Sequence, residues 1–213
     1  MAAMARWEPD ARGRLQRAAM ELFQERGYAR TTVEEIAAHA GLTERTFFRY
    51  FTDKREVLFS GSKELEKSLV DKIARAPEEA VSLEVVLDAF VAAGATLQSS
   101  RDFSYVCARH ALLAEHAELR ERELTKLASL ATIVTKALHA RGVTEPEASM
   151  VAEVGVAAFK VGFERWVSGK KPHDFVALIR QAMRALMDVA AATSTPRFVG
   201  VAKRKVSKRS QPT

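Results

Sequence analysis

One cysteine in 213 residues, Cys107, excludes a disulfide framework within the chain. Six prolines and ten glycines leave few breaks in a chain that is 47% hydrophobic, a balance that favours long helices over turn-rich sheets. No stretch alternates apolar and polar residues as a half-buried strand does. No apolar run approaches the roughly 20 residues needed to cross a bilayer, so no membrane contact is expected. Arg6, Glu8, Asp10, Arg12 and Arg14 also break up the segment where a secretory leader would need an apolar centre. These absences point to the cytoplasm. G-x-S-x-G, H-E-x-x-H and a glycine-rich phosphate loop are missing as well, so neither an enzyme nor a cofactor is expected. Metal binding finds little support. Cys107 and His110 share a helix face, but His116 lies elsewhere and no third ligand completes a set.

Positive charge is scarce where a basic isoelectric point near 9.6 would suggest it. Residues 1–55 hold 10 lysines and arginines against 8 carboxylates, residues 56–193 hold 17 against 19, and residues 194–213 hold 6 against none. The net excess of +6 therefore equals the charge of the last stretch, "STPRFVGVAKRKVSKRSQPT". That composition predicts a flexible basic tail over 194–213. Overall basicity is no argument for nucleic-acid binding by the folded body.

Helical signals fill the rest. Leu15, Ala18, Ala19, Leu22 and Phe23 recur at helical spacing before Gly27, a suitable C-terminal stop. Thr32 and Glu35 form a capping box ahead of Val33, Ile36, Ala37 and Ala40, and Gly41 ends that helix after about two turns. Thr43 caps a third short helix with Phe47 and Phe51 on one face. Asp53 and Glu56 read as a further capping box opening a fourth helix over 53–75. Beyond Pro77 come longer amphipathic helices near 82–99, 102–114, 116–140, 146–168 and 173–192. The fold class is therefore all-α, with an N-terminal extension over 1–9, three short helices over 10–55, a larger helical part over 56–193 and the tail.

Two-turn helices bury too little to persist alone and must brace each other. A helix, a glycine-containing turn and a second helix make a helix-turn-helix, whose second helix enters the DNA major groove. With Phe47 and Phe51 turned inward, the outer side carries Thr43, Glu44, Arg45, Thr46, Phe48, Arg49 and Tyr50. Hydroxyls, guanidinium groups and aromatics suit base edges, thymine methyls and phosphates. Taken singly, the threonines are ordinary caps and the arginines ordinary solvated side chains; their joint placement on one short helix is what points to DNA.

The stretch "TTVEEIAAHAGLTERTFFRYFTDKREVLF" resembles the DNA-binding region of the TetR family of bacterial transcriptional regulators, and "RAAMELFQERGYART" is similar to that family's first helix. The resemblance covers residues 10–60. It implies an all-helical homodimer with an N-terminal three-helix helix-turn-helix domain and a C-terminal helical domain that dimerises and binds a small effector. It further implies a repressor, released by that effector from a palindromic DNA operator. Carried onto this chain, it makes Thr43, Arg45 and Thr46 base readers, with Arg49 as a second guanidinium reader. Thr32, Tyr50 and Lys54 become phosphate holders, reinforced by the backbone N–H groups of the helix starts. Phe48 stands where the family usually has tyrosine; it has no hydroxyl for a phosphate, and its ring is left to pack on sugar or a thymine methyl.

In the C-terminal part, broad apolar stripes on the helices near 146–168 and 173–192 suggest a homodimer interface of two helices from each subunit, with Gly155 and Gly162 permitting close approach. Phe90, Phe103, Tyr105, Cys107, His110, Phe159, Phe163 and Trp166 are candidates to line an apolar cavity for a small-molecule effector, with Tyr105 and His110 as its polar anchors. The 53–75 helix would join the two parts and serve as the lever between them. The rival reading is a helical scaffold or enzyme that keeps the fold without reading DNA.

Overall fold

The computed structural model describes residues 10–169 and 174–193, and every regular element within them is helical. The 1–9 extension and the 194–213 tail lie outside the described residues. None of the described helices is long and apolar enough to cross a membrane.

Three helices make the N-terminal unit: α1 (Ala11–Arg26), α2 (Val33–His39) and α3 (Glu44–Tyr50). Each begins on a side chain that satisfies an otherwise unpaired amide. The Asp10 carboxylate accepts from the Gly13 amide, the Thr32 hydroxyl from Glu35 and the Thr43 hydroxyl from Thr46. At Thr32 the box closes in both directions, because the Glu35 carboxylate accepts from the Thr32 amide at 2.9 Å. Those contacts hold the Glu35 carboxyl below the usual carboxylate range. Gly27 (φ 83°) and Gly41 (φ 65°) take positive φ where the chain leaves α1 and α2, a conformation that glycine adopts without strain. Leu15, Leu22, Phe23, Ile36, Phe47 and Phe51 close into one buried core, each large side chain contributing about 1.5–3 kcal/mol by burial.

The fourth helix departs from expectation. Asp53 does accept from the amides of Arg55 and Glu56, at 2.8 and 3.2 Å, but the chain then makes only a single 3₁₀ turn, Arg55–Val57. It breaks at Gly61 (φ 103°) before α4 (Ser62–Ala74) begins. The reciprocal half of the box is missing because the Glu56 carboxylate points across the molecule to Arg122 and Lys126. Val57, Leu58 and Phe59 pack in the N-terminal core.

The C-terminal part consists of α5 (Ser82–Ser100), α6 (Phe103–Glu115), α7 (Ala117–His139), α8 (Glu147–Val167) and α9 (Phe175–Thr193). Helix α8 packs against α5, α7 and α9, and α4 lies on α5 and α7. Their common core contains Leu69, Ile73, Val86, Phe90, Val134, Leu138, Ala152, Trp166, Phe175 and Ile179. Gly155 and Gly162 do permit close approach, but within the subunit. A Cβ at Gly155 would run into Val86 Cγ1 and meet Phe90 Cε2 at 2.7 Å; one at Gly162 would meet the Ile179 backbone N at 3.0 Å.

Because Gly162 abuts main chain, α9 must move to accommodate any side chain there. Gly162→Val is expected to lower stability by about 1–3 kcal/mol, read as a lower urea midpoint; an unchanged midpoint would show that α9 is not held against α8 in this way.

Candidate nucleic-acid interface

On α3, Phe47 is fully buried, whereas Thr43, Glu44, Arg45, Phe48 and Arg49 are exposed and Thr46 and Tyr50 half-buried. Phe48, at 54% exposure, is the most prominent apolar group on this surface. The Thr43 and Thr46 hydroxyls lie 3.1 Å apart, so the cap and the first outward turn form one polar edge. Arg49 donates to the Tyr50 hydroxyl at 3.1 Å, and its guanidinium lies 4.9 Å from that ring's centroid. No described residue hydrogen-bonds or ion-pairs with Arg45. Of the expected contacts, Thr32, Thr43, Arg45, Phe48 and Arg49 are exposed on these helices or at their caps, Thr46 is half-buried, and Tyr50 is half-buried against the N-terminal core.

Lys54 is placed differently. Its ammonium donates to the carbonyls of Tyr28 at 2.9 Å and Thr31 at 3.0 Å, with Ala29 at 3.4 Å, and lies 4.4 Å from the Tyr28 ring centroid. Three donors meet three acceptors. Lys54 thus clamps the turn between α1 and α2, and its charge is committed to the protein. His39, on the α2 face, pairs with Glu21 at 2.8 Å.

Sequence reasoning missed the joint between the two parts. Glu56 accepts from Arg122 at 2.7 Å and lies 3.4 Å from the Lys126 ammonium, both on α7. Arg109 on α6 donates through Nε to the Leu58 carbonyl at 2.6 Å, sits over the Phe59 ring and faces Glu123 at 3.6 Å. Burial holds the Arg109 pKa below that of a free guanidinium. Leu112, Leu113 and Leu119 complete the seam by entering the N-terminal core. Partners separated by 51 to 70 residues leave no local signal in the chain.

Seven of the eight effector candidates meet in one cluster. Phe90 packs on Phe159, Phe159 on Phe175, and Trp166 stacks on Phe175 at 4.7 Å. Phe103 touches Trp166, Phe163 touches His110, Trp166 and Phe175, and the Cys107 thiol reaches the Val167 carbonyl. Burial raises the Cys107 pKa above that of a free thiol. Tyr105 is the exception. It lies on the opposite side of α6, against the N-terminal core, with Arg101 over its ring. The expected anchor pair Tyr105 and His110 is therefore split between two faces of one helix. Phe175, central to the cluster, gives no sign of this role in the sequence, where it belongs to the last apolar stripe, read there as dimer interface.

Comparison with known proteins matches residues 15–60 to "Bacterial regulatory proteins, tetR family" and residues 81–191 to the "MftR C-terminal domain". The HTH-type transcriptional regulator TcmR of Streptomyces glaucescens is 36% identical over 79 residues, 37% of this chain and only 35% of TcmR. The fatty acid metabolism regulator protein of Bacillus subtilis is 23% identical over 175 residues, 80% of this chain and 90% of that protein. Among solved structures, Thermus thermophilus FadR, a transcriptional repressor in complex with lauroyl-CoA, superposes with a TM-score of 0.52 at 25% identity, covering 83% of this chain and 93% of FadR. SmeT, the repressor of a Stenotrophomonas maltophilia multidrug efflux pump, shares the fold with a TM-score of 0.54 at 18% identity, covering 84% and 89%.

The joint makes a separate prediction. Glu56→Gln keeps the shape but removes the charge facing Arg122 and Lys126, and should cost about 1–3 kcal/mol. Differential scanning calorimetry checks this: the unfolding transition should shift down in temperature, and an unmoved trace would show that the charge contributes nothing.

Proposed function

The chain belongs to the TetR family of bacterial regulatory proteins, and from that premise we propose that it is a homodimeric repressor whose α3 reads a palindromic operator until an apolar effector releases it. The protein is a DNA-binding transcriptional regulator with a helix-turn-helix unit. What carries the finer reading is the outward side of α3, where Arg45 is exposed and uncommitted between the Thr43–Thr46 edge and the Arg49–Tyr50 pair. Arg45 donates to O6 and N7 of a guanine, a pairing worth roughly 1–3 kcal/mol of discrimination. Thr43 and Thr46 contact neighbouring base edges, and Phe48 packs on a thymine methyl. Arg49, Tyr50 and Thr32 flank them at the backbone. Lys54 acts by holding the α1–α2 turn and by its field, so its loss weakens all sequences alike.

The dimer forms through α8 and α9. Met150 and Val161 on α8 and Met187 on α9 are large apolar groups left 63%, 45% and 51% exposed. A second copy of the same surface covers them under two-fold symmetry. Two reading helices then address half-sites about 34–36 Å apart or at a multiple of that spacing.

Release runs through α6. One side of this helix carries Phe103, Cys107 and His110 into the aromatic cluster, and the other carries Arg109, Leu112 and Leu113 into the joint with the N-terminal unit. An effector that shifts α6 must disturb the hold on Leu58 and Phe59. It acts only so far as it binds the released form more tightly than the DNA-bound one. Lauroyl-CoA, the ligand of FadR, is the first compound to try.

Selection of genomic fragments retained by the purified protein is expected to return a palindrome. Arg45→Ala should relax preference at one base pair per half-site by about 1–3 kcal/mol; an unchanged preference removes Arg45 as a reader. Met187→Glu should give a monomer by sedimentation and lose operator affinity. A dimer that survives this change places the interface elsewhere.

A further inference from the structure

We propose that Trp166 and His110 anchor the uncharged carbonyl oxygen of an apolar ligand at the seam between α6 and α8, an inference that rests on reading this cluster as the effector site. Trp166 is 1% exposed, and its indole N–H has no hydrogen-bond partner; His110 Nδ1 is buried and equally unpartnered. The great majority of buried polar side-chain atoms are paired. Here two unpaired ones flank a single ring, Phe163, whose centroid lies 5.8 Å from that of His110 and 6.0 Å from that of Trp166.

The chemistry of these groups narrows the ligand. An indole N–H only donates, so the missing partner must accept. Imidazole in its Nδ1–H tautomer supplies a second donor beside the same Phe163 ring. The neighbouring faces of Phe103, Phe163 and Phe175 are apolar, and a ligand body suited to them is apolar too. A carboxylate brought here would lose its hydration without gaining a cation from α6, because Arg109 is committed to Leu58 and Glu123 on the helix's other side. An uncharged carbonyl meets both donors without that penalty.

Trp7 and Trp166 are the two tryptophans of the chain, so in a Trp7→Phe protein the indole signal belongs to Trp166 alone. The test monitors that indole N–H by NMR in nitrogen-15-labelled Trp7→Phe protein titrated with 2-acetylnaphthalene, with 2-ethylnaphthalene, which lacks the carbonyl, and with 2-naphthoate. The acetyl compound should move the indole proton downfield saturably and bind about threefold to tenfold more tightly than the ethyl compound. Replacing Trp166 by Phe, which keeps an aromatic ring, should erase the preference for the acetyl over the ethyl compound, read by isothermal titration calorimetry because the indole signal is gone. Should Trp166→Phe fail to fold, His110→Phe makes the same comparison at the other donor.

Equal binding of the acetyl and ethyl compounds, tighter binding of the naphthoate, or an indole unmoved by all three overturns the anchor. Retention of specific DNA fragments, measured without any probe, separates the two readings. Specific retention with an unresponsive indole removes the anchor and leaves the regulator. A responsive indole in a protein that retains no fragment specifically supports the anchor and removes the regulator.

Discussion

A seven-residue helix cannot hold itself in water, and α3 is seven residues long. It stands because Phe47 is buried completely, with Phe51, Ile36, Leu15, Leu22 and Phe23 around it. That core decides which side of α3 remains outside, and therefore that Arg45, Phe48 and the Thr43–Thr46 edge form a surface. Capping adds direction. Thr32 and Thr43 start the two short helices at defined residues, and the glycines at 27 and 41 release the chain where each must turn. Without the buried phenylalanine there would be no rigid face to place in a groove.

The same core makes the N-terminal unit responsive to the rest of the molecule. Leu112, Leu113 and Leu119 belong to it although they come from α6 and α7. Arg109 and Glu56 then tie the seam with charge, each held by partners on the opposite part. A displacement of α6 cannot stay local, because its two sides are packed into two different cores. This makes α6, as much as α4, a physical link between the two parts, α4 being the helix that joins them along the chain. Gly61 interrupts the path from the 3₁₀ turn into α4, so the region from Asp53 to Arg75 does not act as one rigid rod.

Much of this was legible in the chain. The short helices, their caps and the inward phenylalanines can be read from spacing within a few residues, and the long helices fall within two residues of where periodicity puts them. The misses share a cause. Asp53 and Glu56 satisfy the letter of a capping box, yet Glu56 finds a stronger electrostatic partner in Arg122, which no local rule anticipates. Gly155 and Gly162 do mark close approach, but only the folded chain reveals that Val86, Phe90 and Ile179 are what approaches. Tyr105 and His110 look like equivalent polar residues on one helix, and a step of five positions turns one toward the N-terminal core and the other toward Phe163.

By itself the sequence determined most of the helices, their ends and the chemistry carried by α3, because capping, periodicity and burial of phenylalanine act over a few residues. Only the tertiary structure decided what those helices are joined to: Lys54 on the carbonyls of the α1–α2 turn, Arg109 on Leu58, and the unpaired indole of Trp166 packed, like His110, against Phe163. These contacts link residues many turns apart, and their partners are chosen by which surfaces are left to meet once each helix has buried its own apolar side.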